Sequence, residues 1–228
     1  MMEHSSKATN SNKFTLGETR VIHDGRFISF CETDITNSEG IKSTWEHISR
    51  KSNRVEDPLN IQKNYGGADV IAIATQTEDG DQNIVKTGEK MVLAIIIYRV
   101  PIMNSVISLP AGVKDPEDDN PLDTAVRELK EETGFTGENG RSTYTCRCDP
   151  WKSDDRGTLV FFDVDLTKEE NKNPKQELEM AEDIRPIWIK LDGLKQNLED
   201  LAHKNDYEID QRLYSFAMGL DYAQHSQI

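Results

Sequence analysis

The stretch LPAGVKDPEDDNPLDTAVRELKEETGF, residues 109–135, joins a Pro-Ala-Gly turn to a segment with helical spacing. Asn120 is a favoured residue at a helix N-cap, and Pro121 follows it at the position where a helix tolerates proline best. Asp123 occupies the place from which a capping-box acid reaches back to the N-cap. Gly134 is suited to end the helix in the left-handed conformation. The stretch therefore predicts a helix that begins after Asn120 and ends at Gly134.

The same helix carries three glutamates beside an apolar stripe. The stripe is predicted from residues at helical spacing: Leu122, Ala125, Val126 and Leu129. Glu128, Glu131 and Glu132 share an arc next to it, where like charges repel unless water or a cation surrounds them. A solvated acidic face is the ordinary interpretation of such a helix. The position beside the stripe, after a turn with usable backbone carbonyls, instead favours a divalent cation, because Mg2+ combines carboxylates with substrate phosphates.

Composition restricts the partners of the chain. It carries 27 Lys+Arg against 41 Asp+Glu, a formal net charge of -14. This excess argues against a nucleic-acid coat or a binder of anionic membranes, while an anionic substrate stays compatible if metal ions bridge it to the protein. Three cysteines cannot all pair internally and no signal peptide opens the chain, so we expect a reducing setting in the cytoplasm, with the nucleus as an alternative. The longest apolar run, residues 91–98, is too short to span a bilayer.

The chain divides into three predicted parts. Residues 1–13 are polar and Ser/Asn-rich, which predicts a disordered tail. Residues 14–65 predict an antiparallel β-hairpin subdomain, because alternating segments flank the Gly-containing turn NSEG. Residues 66–228 predict a second domain in which strands and helices intermix without strict alternation. This pattern favours an α+β class with a mixed sheet over a doubly wound fold.

The quoted stretch resembles the Nudix hydrolase box: glycine, five residues, glutamate, seven residues, then R-E-hydrophobe-x-E-E-x-G-hydrophobe. Gly112 opens the motif here, and RELKEETGF, residues 127–135, closes it without a mismatch. Counting back from Arg127 places Asp119 at the glutamate position, but six residues rather than five then separate it from Gly112. Glu117, Asp118 and Asp119 all stay candidates for that position. The resemblance implies a mixed β-sheet sandwiched between helices.

Further segments are similar to the ADP-ribose (ADP-sugar) pyrophosphatase branch of that family: STWEHISR, YRVP, LPAG, CDP and DQRLYSFAMGLDYA. Pro150 falls sixteen residues beyond Gly134, where this branch has a proline. The resemblance implies hydrolysis of ADP-ribose to AMP and ribose 5-phosphate. Two alternatives are a Nudix hydrolase of another nucleoside diphosphate derivative, such as an oxidised guanine nucleotide, and a non-catalytic nucleotide sensor. A sensor should have lost box acids, and Glu128, Glu131 and Glu132 are all present.

The resemblance also implies roles for individual residues. Substrate contacts are implied for Phe27, Trp45, Glu46, Arg50, Arg99, Val113 and Asp149. Metal ligation, by Mg2+ or alternatively Mn2+, is implied for the Ala111 carbonyl and the carboxylates of Glu128, Glu132 and Glu182. Catalytic roles are implied for Arg127, Glu128, Glu131, Glu132 and Glu182, with Arg127 orienting the carboxylates. Glu182, or Asp183 as second candidate, lies in an acidic loop that suits a general base.

The N-terminal hairpin predicts a homodimer. It is short, so alone it would be marginal and would leave its edges unpaired. Packing across a two-fold axis covers those edges and uses one surface twice. The resemblance further implies that Trp45 and Phe27 stack on the adenine, although Phe27 stands where close relatives have tryptophan.

Overall fold

The computed structural model describes residues 13–50, 65–75, 88–180 and 182–225, which form two compact units. The first unit comprises 13–50 together with 147–155, and the second comprises the remaining described residues. Most of the predicted tail, residues 1–12, and the segment 51–64 lie outside the described residues.

The first unit is built on a three-stranded antiparallel sheet in the order β1-β2-β3. Its strands are β1 Phe14–Asp24, β2 Ile28–Asn37 and β3 Lys42–Arg50. The predicted NSEG turn joins β2 to β3, where the Asn37 side chain accepts from the backbone N–H groups of Glu39 and Ile41, both at 2.9 Å. The antiparallel prediction is confirmed. The structure adds a second hairpin at Gly25, whose N–H donates to the Ile28 carbonyl at 3.0 Å.

The segment 147–155 runs along β3 within the first unit. The Ile48 N–H donates to the Lys152 carbonyl at 2.7 Å, and the Ser49 hydroxyl donates to the Asp154 carboxylate at 2.7 Å. About a hundred residues separate the partners in sequence, so no local pattern predicted this pairing.

The second unit contains a larger sheet, whose strands are β4 Gly67–Thr75, β5 Lys90–Arg99, β6 Asn104–Ser108, β7 Ala111–Val113, β8 Glu138–Ser142, β9 Cys146–Arg147, β10 Arg156–Val164, β11 Ile184–Lys190 and β12 Glu208–Ile209. Their order is β12-β6-β5-β4-β10-β8, and β11 pairs with β5, β7 with β4 and β9 with β10. The pairs β10–β4 and β12–β6 are parallel, whereas β4–β5, β4–β7, β5–β6, β5–β11 and β8–β10 are antiparallel. The predicted mixed sheet is confirmed.

Helices cover both faces of this sheet. They are α1 Pro121–Thr133, α2 Glu169–Lys172, α3 Leu194–Asn205 and α4 Gln211–His225. Alternation along β4 divides the core, since Val70 and Ala72 pack with Leu129 of α1 while Ile71 packs with Leu198 of α3. The sheet therefore lies between α1 on one side and α3 and α4 on the other, as the α+β prediction required.

The apolar stripe of α1 differs from the prediction at one position. Ala125 and Leu129 are buried, but Val126 is 53% exposed. The inner face of α1 is turned so that Thr124, Glu128 and Glu132 occupy buried positions instead. The helix thus directs two of its glutamates into the protein.

No helix within residues 13–50, 65–75, 88–180 or 182–225 has the length and apolar character needed to cross a membrane.

Candidate active site

Helix α1 is fixed at both ends by the residues that predicted it. The Asn120 side chain accepts from the Leu122 N–H at 2.9 Å, and Asp123 accepts from the Asn120 N–H at 3.2 Å. Gly134 adopts a left-handed φ of 77° and donates its N–H to the Lys130 carbonyl at 2.8 Å. These contacts satisfy terminal backbone groups and hold the inner glutamates in one orientation.

Glu132 is the more deeply buried glutamate on this face. It is 3% exposed, and its Oε2 accepts from the Ala111 N–H at 2.8 Å. Burial raises the pKa of Glu132 to about 8; the Ala111 N–H opposes this rise, whereas the charges of Glu128 and Glu182 add to it. Binding of a cation next to Glu132 would stabilise the ionised form of this buried carboxylate.

The backbone of Ala111 faces the side on which Glu132 lies. Hydrogen-bonded and non-hydrogen-bonded pairs alternate along antiparallel strands. The Val70 N–H donates to the Pro110 carbonyl at 2.8 Å, which makes this a hydrogen-bonded position. Ala111 pairs with Asp69 one step further along and therefore occupies a non-hydrogen-bonded position. Its carbonyl oxygen projects away from β4, on the same side as the N–H that Glu132 accepts.

Glu128 lies close against β7. It is buried, and burial raises its pKa to about 7, while Arg127 opposes the rise. A Cβ atom built on Gly112 would overlap the Glu128 carboxylate. The glycine that opens the box therefore has a steric cause, because any side chain at residue 112 would displace Glu128 from the strand.

Arg127 connects the acids of the box. Its Nη1 donates to Glu128 at 2.7 Å and to Glu131 at 3.0 Å. Its Nη2 donates to the Val113 carbonyl at 2.9 Å and to Asp118 at 3.0 Å. One guanidinium thereby ties α1 to β7 and to the loop between them, as expected of a residue that orients carboxylates.

Asp118 is the loop residue whose carboxylate accepts a hydrogen bond from Arg127. It is buried, whereas Glu117 and Asp119 are exposed. Exactly five residues separate Gly112 from Asp118, the spacing of the motif, so the additional residue falls between Asp118 and Arg127. Counting forward from Gly112 rather than back from Arg127 identifies the acid that the structure uses.

The acidic loop before β11 lies over the C-terminal half of α1. The Gln176 amide donates to the Glu132 carbonyl at 2.6 Å and to the Ile184 carbonyl at 3.0 Å, and the Glu177 N–H donates to the Glu131 carbonyl at 2.8 Å. The charge of Glu182 adds to the rise in the pKa of both Glu128 and Glu132, and its own carboxylate accepts from the Glu179 N–H at 3.0 Å. Asp183, the second candidate, is exposed.

Oxygen donors of this kind fit Mg2+ or Mn2+. The described residues contain no set of three His, Cys, Asp or Glu side chains arranged to hold a metal ion unaided. Glu128, Glu132 and the Ala111 carbonyl are hard donors, and Mg2+ is ordinarily bound by one or two carboxylates with water and substrate phosphates completing its shell. Two carboxylates and one carbonyl lie within the range of protein ligands that a phosphate-bound Mg2+ ordinarily has.

Two further predicted residues border these acids. Arg99 lies exposed at the end of β5, and its charge lowers the pKa of Glu132. Val113, 40% exposed at the end of β7, presents its side chain at the surface while its carbonyl accepts from Arg127. The second unit therefore brings a cation and an apolar side chain to the edge of the acidic cluster.

The NUDIX domain family matches residues 82–213, more than half of the chain. The chain belongs to the Nudix family. The family predicted from the box motif is confirmed.

Three similar proteins extend this relationship. An uncharacterized Nudix hydrolase of Schizosaccharomyces pombe is 38% identical over 133 residues, which cover 58% of this chain and 64% of that protein. The chain thus spans slightly less than two thirds of that relative. The ADP-ribose pyrophosphatase of Saccharomyces cerevisiae is 29% identical over 82% of this chain and 78% of its own length. A crystal structure of an ADP compounds hydrolase superposes with a TM-score of 0.60 at 18% identity, covering 95% of this chain and 97% of that one, which shows the shared fold.

The other predicted substrate residues of this Nudix protein lie in the first unit. Phe27 and Trp45 are 66% and 49% exposed, and the Trp45 indole donates to the Trp151 carbonyl at 3.1 Å. Glu46 is exposed on β3, beside Trp45 but on the opposite face of the strand. The first unit therefore presents two exposed rings and a carboxylate.

Arg50 and Asp149 already have partners in this unit. Arg50 Nε donates to Asp155 at 2.9 Å, and Asp149 forms an ion pair with Lys152 at 3.1 Å. Asp149 has a φ of 48°, a left-handed conformation that aspartate tolerates better than most residues.

A surface cavity of about 440 Å³ occurs elsewhere in the second unit, lined by residues of β5, β11 and α4 such as Lys90, Lys190 and Gln224. It contains none of the predicted site residues. The acidic cluster, identified by chemistry rather than by concavity, is the better candidate for the active site.

Two residues near the acidic cluster, Tyr65 and Thr124, were not predicted as site residues, whereas Asp118 was one of three candidates for a box position. Thr124 lies in the box helix, three residues before Arg127, so its position on the buried arc was the available signal. Tyr65 approaches from 59 residues away, and no sequence pattern indicated that contact.

Proposed function

We propose that this Nudix protein hydrolyses the diphosphate bond of ADP-ribose and related ADP-sugars, releasing AMP and, from ADP-ribose, ribose 5-phosphate. The observation that carries the proposal is the buried pair Glu128 and Glu132 against β7, where the Ala111 N–H donates to Glu132 and Glu128 lies against Gly112. The similarity to the yeast ADP-ribose pyrophosphatase supports the choice of substrate. The YRVP, LPAG and CDP segments and Pro150 support it independently.

The proposed cofactor is Mg2+, with Mn2+ as a substitute. Glu128, Glu132 and the Ala111 carbonyl would hold it, with Glu182 as a further ligand or as the base. When bound, it neutralises charge on the diphosphate and lowers the pKa of a coordinated water. Burial raises the pKa of both glutamates, and a cation bound between them would offset the cost of ionising two neighbouring buried carboxylates.

Each remaining residue has a task that its contacts support. Arg127 holds Glu128 and Glu131 in place through its Nη1 atom. We assign Glu182 as the residue that accepts a proton from the attacking water, because it lies in the acidic loop that contacts α1 and its charge adds to the rise in the pKa of Glu128 and Glu132. Arg99 stabilises the negative charge of the diphosphate at the exposed edge of the cluster.

We also propose that the first unit recognises the nucleotide. Trp45 and Phe27 supply exposed rings for stacking on adenine, and Glu46, Arg50 and Asp149 supply polar contacts. On the second unit, exposed Val113 supplies an apolar substrate contact next to the box. The three-stranded sheet exposes many apolar side chains, which supports assembly as a homodimer.

The decisive experiment incubates purified protein with Mg2+ and a matched panel of ADP-ribose, another ADP-sugar, a GDP-sugar and an oxidised guanine nucleoside diphosphate. Chromatography then quantifies the released nucleoside monophosphate. We expect AMP from ADP-ribose with the highest kcat/KM, and no product when the metal is chelated. A higher kcat/KM for a guanine substrate would establish the alternative hydrolase. Tight binding of ADP-ribose without any product would establish a sensor.

The dimer has a separate test. Sedimentation velocity should give twice the mass of the 25.9 kDa chain at concentrations where the enzyme is active. A fully active monomer would refute the proposed assembly while leaving the proposed reaction untouched.

A further inference from the structure

A buried chain of hydrogen bonds runs from Tyr65, which lies just before β4, to Arg127 of the box. The Tyr65 hydroxyl lies 3.0 Å from the Thr124 hydroxyl, which lies 2.7 Å from the Asp118 carboxylate, which in turn lies 3.0 Å from Arg127 Nη2. Tyr65 is 2% exposed and Thr124 is fully buried. Three side chains that are not themselves proposed metal ligands are thus linked to Arg127, the residue that donates to Glu128.

The direction of every proton in this chain follows from its chemistry. Burial opposes ionisation of Asp118, but its bonds to Arg127, the Asp115 N–H and Thr124 together lower its pKa, so its carboxylate accepts only. Thr124 must then donate to Asp118, and Tyr65 must donate to Thr124. Burial raises the pKa of Tyr65, which keeps its phenol protonated for this purpose. The donors all point toward Asp118.

One oxygen of the Asp118 carboxylate accepts all of these hydrogen bonds. Its Oδ2 accepts from Thr124, from the Asp115 N–H at 3.0 Å and from Arg127. Among the described residues, Arg127 Nε has no hydrogen-bond partner and pairs with the Asp115 carboxylate only as an ion pair at 3.6 Å, so the hydrogen bonds that orient the guanidinium come from its two terminal nitrogens. Nη2 is held by Asp118 and the Val113 carbonyl, and Nη1 reaches Glu128 and Glu131.

We propose that Tyr65 and Thr124 are positioning residues of the active site, which hold Asp118 so that Arg127 presents Glu128 in the geometry a divalent cation requires. This inference rests on the proposed function. Asp is one methylene shorter than the glutamate of the motif, and the Thr124 hydroxyl and the Asp115 N–H fix the shorter side chain where it meets Arg127. Ordered neighbours of this kind tune a metal site without touching the ion.

The test measures Mn2+ affinity by electron paramagnetic resonance, together with kcat and KM for ADP-ribose. Thr124→Val keeps the shape of the side chain and removes its hydroxyl, and we expect the Mn2+ dissociation constant to rise roughly tenfold. The Mg2+ concentration for half-maximal activity should rise by a similar factor, while KM at saturating Mg2+ changes less than twofold. Thr124→Ser restores the hydroxyl and should return both constants to within about twofold of wild type.

Thr133→Val is the matched control. Thr133 lies on the same helix and is equally buried, but its hydroxyl donates to the Leu129 carbonyl rather than toward Arg127. We expect it to lower thermal stability as Thr124→Val does while leaving Mn2+ affinity unchanged. An equal loss of Mn2+ affinity in both variants would show a purely structural role and overturn the proposal.

Tyr65→Phe provides a milder variant if Thr124→Val does not fold. It removes one donor, and we expect roughly a threefold loss of Mn2+ affinity, smaller than the loss of a direct neighbour. Wild-type affinity in Tyr65→Phe, or in folded Thr124→Val, overturns the proposal. Absence of AMP release by the wild type would instead refute the proposed function, and the Mn2+ comparison would still decide the role of Tyr65 and Thr124.

Discussion

The two sheets of this protein differ in how they bury their side chains. Among residues 13–50 of the first unit, only Ser29 and Cys31 are buried. In the second unit, seven consecutive residues of β5, 91–97, are all buried, because helices cover both faces of the sheet. The large apolar side chains exposed on the described part of the first unit are Phe14, Leu16, Val21, Ile22, Phe27, Ile28, Phe30, Ile41, Trp45 and Trp151.

This difference assigns different tasks to the two regions. A three-stranded sheet without a covering layer has little core of its own, so its exposed apolar side chains are available to a ligand or a second subunit. A sheet packed on both faces supplies the rigid frame on which carboxylates can be held to within a fraction of an ångström. We therefore expect substitutions in the second unit to affect turnover and those in the first unit to affect substrate binding.

Removing a buried carboxylate should produce the largest effect. In Glu132→Gln and Glu128→Gln, the loss of a charged ligand should lower kcat by roughly 10³-fold, because the transition state loses charge stabilisation. The measurement is AMP release at saturating Mg2+ and ADP-ribose, with circular dichroism to show that each variant folds. Activity within threefold of wild type in both variants would refute the site assignment.

Glu117→Gln is the control for this pair. Glu117 lies in the box loop but is exposed, so removing its charge alters the local charge count without touching the buried cluster. Its kcat should stay within about twofold of wild type, since surface substitutions rarely have large effects.

Local sequence predicted the helix that carries these carboxylates. The Asn120 cap, Pro121, Asp123 and the Gly134 stop are all confirmed, because capping depends on side chains within a few residues of each other. The burial of Glu128 and Glu132 also follows from their position next to the apolar stripe. The prediction that Val126 is buried was wrong, because the rotation of a helix on its sheet is set by packing and not by spacing alone.

The sequence did not predict contacts between residues that lie far apart in the chain. The segment 147–155 joins the first unit through hydrogen bonds to Ile48, Ser49 and Arg50. Tyr65 reaches Thr124 across 59 residues. Such partners are brought together by topology, and periodicity within a window of 11–18 residues carries no information about them. The orientation of the Ala111 carbonyl likewise depends on strand register, which only the pairing of β4 with β7 reveals.

Glu182→Gln should have the next largest effect and sharpens the assignment within the second unit. A general base contributes about 10²–10⁴-fold, so we expect kcat to fall by roughly 10²-fold with KM nearly unchanged. The same measurement on Asp183→Asn, the exposed neighbour, should show little change. An unaltered kcat for Glu182→Gln at saturating substrate and Mg2+ would place the base elsewhere.

Trp45→Ala tests the first unit. Stacking of an aromatic pair contributes about 0.5–1.5 kcal/mol beyond the burial of area, so KM for ADP-ribose should rise about tenfold while kcat falls less. Phe14→Ala is a suitable comparison, because it removes another exposed ring of the same sheet that has no proposed contact with the nucleotide. An unchanged KM for Trp45→Ala, or an equal rise for both variants, would contradict a specific role in binding.

The smallest expected effect is a pH dependence of thermal stability, and it separates the two regions most directly. The folded pKa values of about 7 for Glu128 and about 8 for Glu132 exceed their ordinary value of 4.5. A raised folded pKa contributes stability that is present below the ordinary pKa and lost as pH rises through the folded value. The metal-free protein should therefore lose stability between about pH 5 and pH 8, and Mg2+ should offset the loss because it binds the ionised carboxylates.

One kcal/mol moves Tm by about 2–4 °C in a protein of this size, so scanning calorimetry at pH 5.5 and pH 8.5, with and without Mg2+, resolves the difference. We expect a Tm gain from Mg2+ that grows with pH in the wild type and flattens in Glu132→Gln, whereas Trp45→Ala should retain the wild-type dependence. A gain that is independent of pH, or one that Trp45→Ala abolishes, would show that the cation acts outside the buried carboxylates of α1.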